Sequence, residues 1–224
     1  MTQALIPDPG AVTPTTSEPS LSETTVVVPA TSTVPDSTPP TDVTPPPPPT
    51  ATRFTGVGND VVDVSGFDLT SKIMVVSPSG VASFELATLG QDLNHLALVE
   101  SVVGAVSGTY PIGLAGDPPP SYLRVDADGE WLIEIKPIED ARIWPSDSII
   151  GTGADVLRYE GGAAVLDYTN AGASNFIVRY QRDAGYELLV NEIGPISGAT
   201  TMQAGPGIVI VDTEGEWALS AIPA

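Results

Sequence analysis

The sequence predicts an all-β protein: two tandem antiparallel β-sandwiches of jelly-roll type, preceded by an extended arm rich in proline and threonine. Two observations carry this prediction, an internal repeat and an abrupt change of composition after Arg53 from proline and threonine to β-branched and aromatic residues. The predicted bounds are 1–52 for the arm, 53–138 for the first sandwich, 139–149 for a linker and 150–224 for the second sandwich.

The repeat is visible as four landmarks that return in order. A Gly-x-Gly-x-Asp-Val segment at 56–61 returns at 151–156, and Asp-Gly-Glu-Trp at 128–131 returns as Glu-Gly-Glu-Trp at 214–217. Between them, Ser83 answers Asn175 and Val103 answers Ile193, so the offset falls from 95 to 92, 90 and 86. A steadily shrinking offset indicates one domain written twice, with longer loops in the first copy.

Short segments of strand-forming residues lie between Gly, Pro, Asp, Asn and Ser turn residues in both repeats, and helical periodicity is absent. The first repeat has strand candidates at 61–64, 71–76, 82–87, 96–99, 121–125 and 131–135. The second has them at 155–160, 164–169, 175–181, 187–193, 207–212 and 217–221. Six or seven short strands per repeat favour a sandwich that closes its own core.

The arm contains 13 of the 23 prolines and 13 threonines, with no aromatic residue, lysine or arginine. Proline fixes φ and removes a donor, so this segment is expected to be extended and unable to build a core. It reads either as a solvated linker or as an arm that orders on a partner surface. Two apolar patches favour the second interpretation and supply the candidate partner-binding residues, Leu5, Ile6, Val26, Val27 and Val28.

Composition excludes several functional classes. The 28 acidic residues against 8 basic ones, a net charge of −20, argue against nucleic-acid binding. The absence of cysteine excludes disulfides, thiolate metal sites and cysteine proteases. No apolar run reaches the length of a membrane span, and if Met1 is the true start, the first residues predict no standard export signal.

Two motifs resemble ligand-binding sequences. The Gly-x-Gly segments lack the third glycine and the helix of a dinucleotide site, so we interpret them as a tight turn before the first strand. Asp126 and Asp128 before Gly129 resemble the start of a calcium loop, but the distal glutamate is missing. An Asp-Gly hairpin explains the segment equally well.

The three tryptophans are expected to be structural. Trp131 and Trp217 begin the returning strand of each repeat and are predicted to be buried at equivalent positions, in preference to forming a sugar platform. Trp144 lies in the predicted linker, where we expect it to wedge between the two sandwiches.

Catalytic residues are not evident. His95 is the single histidine and has no counterpart in the second repeat. No nucleophile elbow accompanies it, and carboxylate pairs are available only because acidic residues are numerous. We therefore expect no enzyme activity, no cofactor and no resident metal.

The segments Gly-x-Gly-x-Asp-Val at 151–156, Asn-Phe-x-Val at 175–178 and Gly-Glu-Trp at 215–217 carry a resemblance, with a divergent copy at 56–131. They resemble a small β-sandwich domain of actinobacterial surface proteins and of virion proteins of actinobacterial phages. The resemblance implies a non-catalytic role and no transferable active site.

The leading functional hypothesis is a phage structural protein that decorates the capsid or another virion surface. It would be made in the host cytoplasm and attach through its arm to the major capsid protein or other virion subunits, without nucleic acid or membrane. A homo-oligomer on the particle is compatible with this hypothesis. The alternative is a host-surface or carbohydrate-binding module of a phage tail or a cell-surface protein.

Overall fold

The computed structural model describes residues 51–104, 106–145, 147–183 and 185–224, all within one compact unit, Pro46–Ala224. These residues form strands and one short 3-10 turn at Ile138–Asp140, with no α-helix among them. The all-β prediction is confirmed. The predicted arm, residues 1–52, lies almost entirely outside the described residues.

The first repeat is an eight-stranded jelly roll. Its two antiparallel sheets have the strand orders β1-β8-β3-β6 and β2-β7-β4-β5, so consecutive strands mostly alternate between sheets. The strands are β1 Thr52–Val57, β2 Asp60–Asp63, β3 Lys72–Ser79, β4 Ser83–Leu89, β5 His95–Val103, β6 Gly108–Ile112, β7 Tyr122–Ala127 and β8 Glu130–Pro137.

The second repeat has the same topology with one added strand. Its sheets have the orders β10-β17-β12-β15 and β14-β13-β16-β11-β9, where β9 pairs in parallel with β11. The strands are β9 Arg142–Ile143, β10 Ser148–Thr152, β11 Asp155–Tyr159, β12 Ala164–Asn170, β13 Asn175–Arg182, β14 Gly185–Ile193, β15 Ile196–Met202, β16 Gly207–Asp212 and β17 Glu216–Pro223. The predicted linker 139–149 therefore contributes β9 and the start of β10.

Five strands were not predicted: the two-residue strand β9 and four outer strands that occupy equivalent places in the two repeats. β1 and β6 are the outer strands of one sheet of the first repeat, and β10 and β15 are the outer strands of the matching sheet of the second. Outer strands have a partner on one side only, and their sequences here are rich in Thr, Ser and Gly. Weak apolar alternation is the physical reason that the pattern missed them.

The Asp-Gly turn at 128–129 is not a hairpin, contrary to the prediction. β7 pairs with β2 and β4, whereas β8 pairs with β1 and β3, so the turn carries the chain from one sheet to the other. A Cβ on Gly129 would lie 2.7 Å from the carbonyl oxygen of Gly80, and a Cβ on Gly215 would lie 2.2 Å from the Cα of Gly172. Each glycine is needed because a neighbouring loop packs directly against it.

The Gly-x-Gly segment of the first repeat forms a lock with Trp131. We predicted that this segment precedes the first strand. It does not, because Gly56 lies within β1, opposite Trp131 in the β1–β8 pair. A Cβ on Gly56 would lie 2.2 Å from the ring. The indole N–H donates to the carbonyl of Gly58 at 2.9 Å, and the Gly58 N–H donates to the carbonyl of Gly129 at 2.9 Å.

The second repeat rebuilds this lock. Gly151 lies opposite Trp217, and a Cβ there would also lie 2.2 Å from the ring. The indole N–H donates to the Gly153 carbonyl at 2.8 Å, and the Gly153 N–H donates to the Gly215 carbonyl at 3.0 Å. Both tryptophans are 3% exposed, which confirms their predicted burial. The lock explains why these glycines and tryptophans recur together.

Trp144 is buried, as expected of a packed linker, but it does not lie between the sandwiches. It belongs to the core of the second repeat, where its ring lies 5.1 Å from that of Tyr159. Its backbone N–H donates to the Arg158 carbonyl at 2.8 Å, which extends the β9–β11 pairing by one residue. The prediction that Trp144 lies between the sandwiches is wrong because the added strand β9 holds Trp144 at the edge of the second repeat.

The two repeats share a continuous apolar contact. Ala154 of the second repeat packs into the core of the first, and the Thr109 N–H on β6 donates to the Ala154 carbonyl at 2.9 Å. Beside this contact, Val156 of the second repeat forms a buried cluster with Ile73 of the first repeat and Ala141 after it. The sandwiches are therefore docked against each other and not merely tethered.

Candidate functional site

The candidate partner-binding residues Leu5, Ile6, Val26, Val27 and Val28 lie outside the described residues. Their role stays a prediction. The other residues singled out in the sequence are described.

The carboxylates of the calcium-like segment both have protein partners. Asp126 pairs with Arg124 at 2.8 Å, and Asp128 accepts the backbone N–H of Ala82 at 2.8 Å. Among the residues described, no group of three or more His, Asp or Glu side chains is arranged to hold a metal ion. Asp128 thus acts as a loop cap, joining the β7–β8 turn to the β3–β4 turn.

His95 is exposed at the start of β5, opposite Leu89 on β4. It lies on the outer strand of its sheet, outside the residues that line the clefts described below.

No helix among the described residues has the length and apolar character to cross a membrane.

The best candidate site is a cleft of about 360 Å³ between the repeats. One wall is formed by β5, β6 and the loop at 117–120 of the first repeat, which includes the proline insertion. The other wall is the outer surface of β13 and β16, where Arg179 and Asp212 lie 3.8 Å apart. The cleft exists only because the repeats dock, so neither repeat alone contains it.

A hydrogen-bonded pair, Tyr110 and Glu100, lies beside the cleft, and Tyr110 is the member that lines it. Tyr110 on β6 is buried and lines the cleft, and its hydroxyl donates to the carboxylate of Glu100 on β5. The other oxygen of Glu100 accepts the backbone N–H of Ser101 at 2.7 Å. Burial raises the pKa of Glu100, and the nearby carboxylates of Asp212 and Glu214 raise that pKa further, against the opposing hydrogen bonds.

The pKa of the Tyr110 hydroxyl is raised as well, first by burial and then by the charge of Glu100. Tyr110 therefore remains a neutral donor and holds the Glu100 carboxyl in place. The cleft is lined by apolar side chains together with the polar side chains of Arg179, Asp212 and Asp117. This arrangement is suited to binding a ligand or a partner segment by shape and a few polar contacts.

A larger and more open cleft of about 800 Å³ lies between the loop at 114–116 and the ends of β11 and β13. It contains two arginines, but both are engaged. Arg158 donates to Glu160 at 2.7 Å and to the Glu139 carbonyl at 2.8 Å. Arg182 lies over the ring of Tyr180, 5.4 Å from its centre. Both guanidinium groups are therefore already bound by groups of the protein, so this cleft is a weaker candidate for a ligand-binding site.

Sequence reasoning missed Glu100 as a site residue. The available signal was a single charged residue within the apolar segment 96–103, at a place where the first repeat departs from the second. Its neighbours Asp212 and Glu214 come from the other repeat, and this proximity depends on how the sandwiches dock.

The raised pKa of Glu100 predicts how the unfolding temperature depends on pH. The folded state keeps this proton to a higher pH than the unfolded chain, so stability falls as pH rises from the ordinary value of 4.5 through the raised value. Glu100→Gln stays neutral and can still accept from Tyr110. As pH rises above 4.5, the stability of the variant should therefore increase relative to that of the wild type. Parallel curves for the two proteins would contradict this assignment.

No family model and no curated protein matches the chain. Among solved structures, a regulatory subunit of a cAMP-independent protein kinase A from Trypanosoma cruzi, bound to guanosine, is similar at 9% identity and a TM-score of 0.21, covering 76% of this chain and 72% of that one. The related Trypanosoma brucei subunit is similar at 11% identity and a TM-score of 0.22, covering 76% and 72%.

A third similar structure comes from a phage: the stem and receptor-binding domain of the spike protein P1 from bacteriophage PM2, at 5% identity and a TM-score of 0.22, with 79% of each chain covered. At these scores the similarities carry no argument about function. The chain is an all-β tandem sandwich protein with one weak structural neighbour from a phage.

Proposed function

We propose that the protein is a non-catalytic structural protein of a phage virion, a capsid decoration protein that attaches to the major capsid protein or another virion subunit through its N-terminal arm. The observation that carries the proposal is the union of two jelly rolls into one docked body directly after the proline-rich segment, with β1 beginning at Thr52. A docked pair of sandwiches is suited to display on the virion surface, and we assign attachment to the arm.

The composition of the arm supports an attachment role. Ordering a chain costs about 1–2 kcal/mol per residue in backbone entropy. Proline lowers this cost because it restricts the free chain beforehand. The patches at 4–6 and 26–28 give the arm apolar side chains to bury on a partner.

The absence of an assembled catalytic group also fits a structural role, within the part of the chain that the structure describes. His95 is solitary and exposed, and the half-buried carboxylate of Glu100 is held by Tyr110. A decoration protein would be synthesised in the host cytoplasm and would reach the virion surface by assembly.

Deleting residues 1–45 tests the proposal, because the remaining Pro46–Ala224 is one compact unit and keeps β1 intact. The full chain and the truncated chain are each incubated with particles that lack the protein and then sedimented. The full chain should bind, and the truncated chain should stay in solution with an unchanged melting temperature. Binding of the truncated chain at full occupancy would place the anchor on a sandwich.

A matched pair of variants locates the anchor within the arm. Val27→Asp changes the central residue of one apolar patch, whereas Thr33→Asp adds the same charge where no patch lies. The first should reduce particle binding and the second should leave it unchanged. Equal binding by both would remove the patch at 26–28 from the account.

The second candidate function is binding to a host surface or a carbohydrate, and the cleft between the repeats is the observation that favours it. Trp131 and Trp217 are buried and cannot serve as sugar platforms. A glycan screen with the full chain and with Arg179→Ala would support this function if binding occurs and depends on Arg179.

A further inference from the structure

The contact between the two repeats is heterologous: the first repeat uses one surface and the second uses a different one. We call residues 106–110 of the first repeat its docking edge and residues 154–156 of the second repeat its docking face. On the edge, the Thr109 N–H donates to Ala154. On the face, Ala154 is 6% exposed and Val156 is fully buried. Because the repeats share one fold, each also has the surface equivalent to the one that the other uses. One difference is Asn59, which stands in place of Ala154 and accepts the Ala127 N–H at 2.9 Å.

The docking face of the first repeat, residues 59–61, is uncovered. The offset of 95 makes Val61 the counterpart of Val156, and the residue type is the same. Val61 is 48% exposed, whereas Val156 is 0% exposed. Asp60 is exposed and its counterpart Asp155 is buried. β2 is the outermost strand of its sheet, so both the face and its edge are open.

The docking edge of the second repeat, residues 196–200, is uncovered as well. Ala199 is the counterpart of Thr109, and the register agrees, since Thr109 lies opposite Val75 and Ala199 lies opposite Asp167. β15 is the outermost strand of its sheet, as β6 is in the first repeat. Ser197 and Ala199 are exposed on it. Small, uncharged side chains there allow the same close approach of another backbone.

We propose that these two surfaces bind each other between molecules, so that the docking edge of one molecule seats on the docking face of a second copy of this chain. This contact between molecules has the same edge-to-face geometry as the contact between the two repeats of one chain. Each added molecule therefore leaves one free docking edge and one free docking face at the two ends of the assembly. A heterologous contact of this kind closes into a ring or propagates as a chain of molecules, according to the rotation at each step. The proposal rests on the repeat and not on the proposed function.

The contact between molecules should be weaker than the one within the chain. The second repeat lacks the proline insertion that lines the cleft at 117–120, so less surface is buried. The first docking face also carries Asp60, Asp63 follows it on the same strand, and the whole chain has a net charge of −20. Salt screens this repulsion, so association should increase with ionic strength.

The test is sedimentation velocity of the full chain over a range of concentrations, at low and at high salt. Val61→Glu places a charge on the docking face, and Ala199→Glu places one on the docking edge. Both positions are exposed, so folding should be unaffected, which the melting temperature checks. Ile150→Glu is the matched control, because Ile150 is 71% exposed on β10, which lies at the opposite edge of its sheet from β15.

The wild type and Ile150→Glu should sediment faster as concentration rises, and Val61→Glu and Ala199→Glu should each remain monomeric. A mixture of these two variants retains one good edge and one good face and should form dimers and nothing larger. A monomeric wild type at high salt would overturn the proposal. Association lost in Ile150→Glu but kept in Val61→Glu would also overturn it. Association only after removal of residues 1–45 would overturn it as well, because the arm would then be the occupant of these surfaces.

Discussion

Replacing Trp217 with alanine is expected to lower the free energy of unfolding by about 3–5 kcal/mol, because the indole fills the end of the second core. The ring is 3% exposed and covers Gly151, and its N–H donates to the Gly153 carbonyl. The substitution leaves a cavity and removes the donor for that carbonyl. Denaturant unfolding measures the loss.

Two further variants make this prediction specific. Tyr186→Ala removes an aromatic ring that is 58% exposed, and it should change stability by less than about 1 kcal/mol. Gly151→Ala should destabilise strongly, because its Cβ would lie 2.2 Å from the ring in the present packing. If Trp217→Ala unfolded like the wild type, the lock would not be a structural element.

Replacing Val156 with aspartate is expected to cost about 3 kcal/mol or more, because a carboxylate would be buried in the apolar cluster with Ile73 and Ala141. The same substitution at the equivalent Val61, which is 48% exposed, should change stability by no more than about 0.5 kcal/mol. The two valines lie on equivalent strands of the same fold. The difference between the two losses of stability therefore measures the contribution of the contact between the repeats.

The comparison is made by thermal unfolding of dilute full-length chains. Val156→Asp should lower the melting temperature or split the transition in two, as the repeats lose their contact. Equal shifts for both variants would show that the repeats do not depend on their interface.

The sequence predicted much of the fold because the repeat doubles every strong feature. The central strands, such as β4 and β13, carry apolar residues that recur in both copies, and burial of Trp131 and Trp217 followed from their position at the start of the returning strand. These features depend on local pattern and composition, which a single sequence displays directly.

Other features depend on which strands become neighbours, and local pattern does not contain this information. An Asp-Gly turn joins strands equally well within a sheet or between sheets, so the crossing at Gly129 was misread as a hairpin. Trp144 was assigned to the space between sandwiches because two residues of β9 are too few to recognise as a strand. The cleft around Tyr110 combines residues of both repeats and requires their docking.

The most direct test of the central claim is the composition of purified virions of the phage that would encode this chain. Particles banded by density are analysed by quantitative mass spectrometry, and intact particles are labelled with an antibody against the sandwiches. If the protein decorates the capsid, we expect a constant ratio of this protein to the major capsid protein, together with antibody labelling of the outer surface of the particles. Its absence from particles and presence only in the soluble fraction of infected cells would contradict the account.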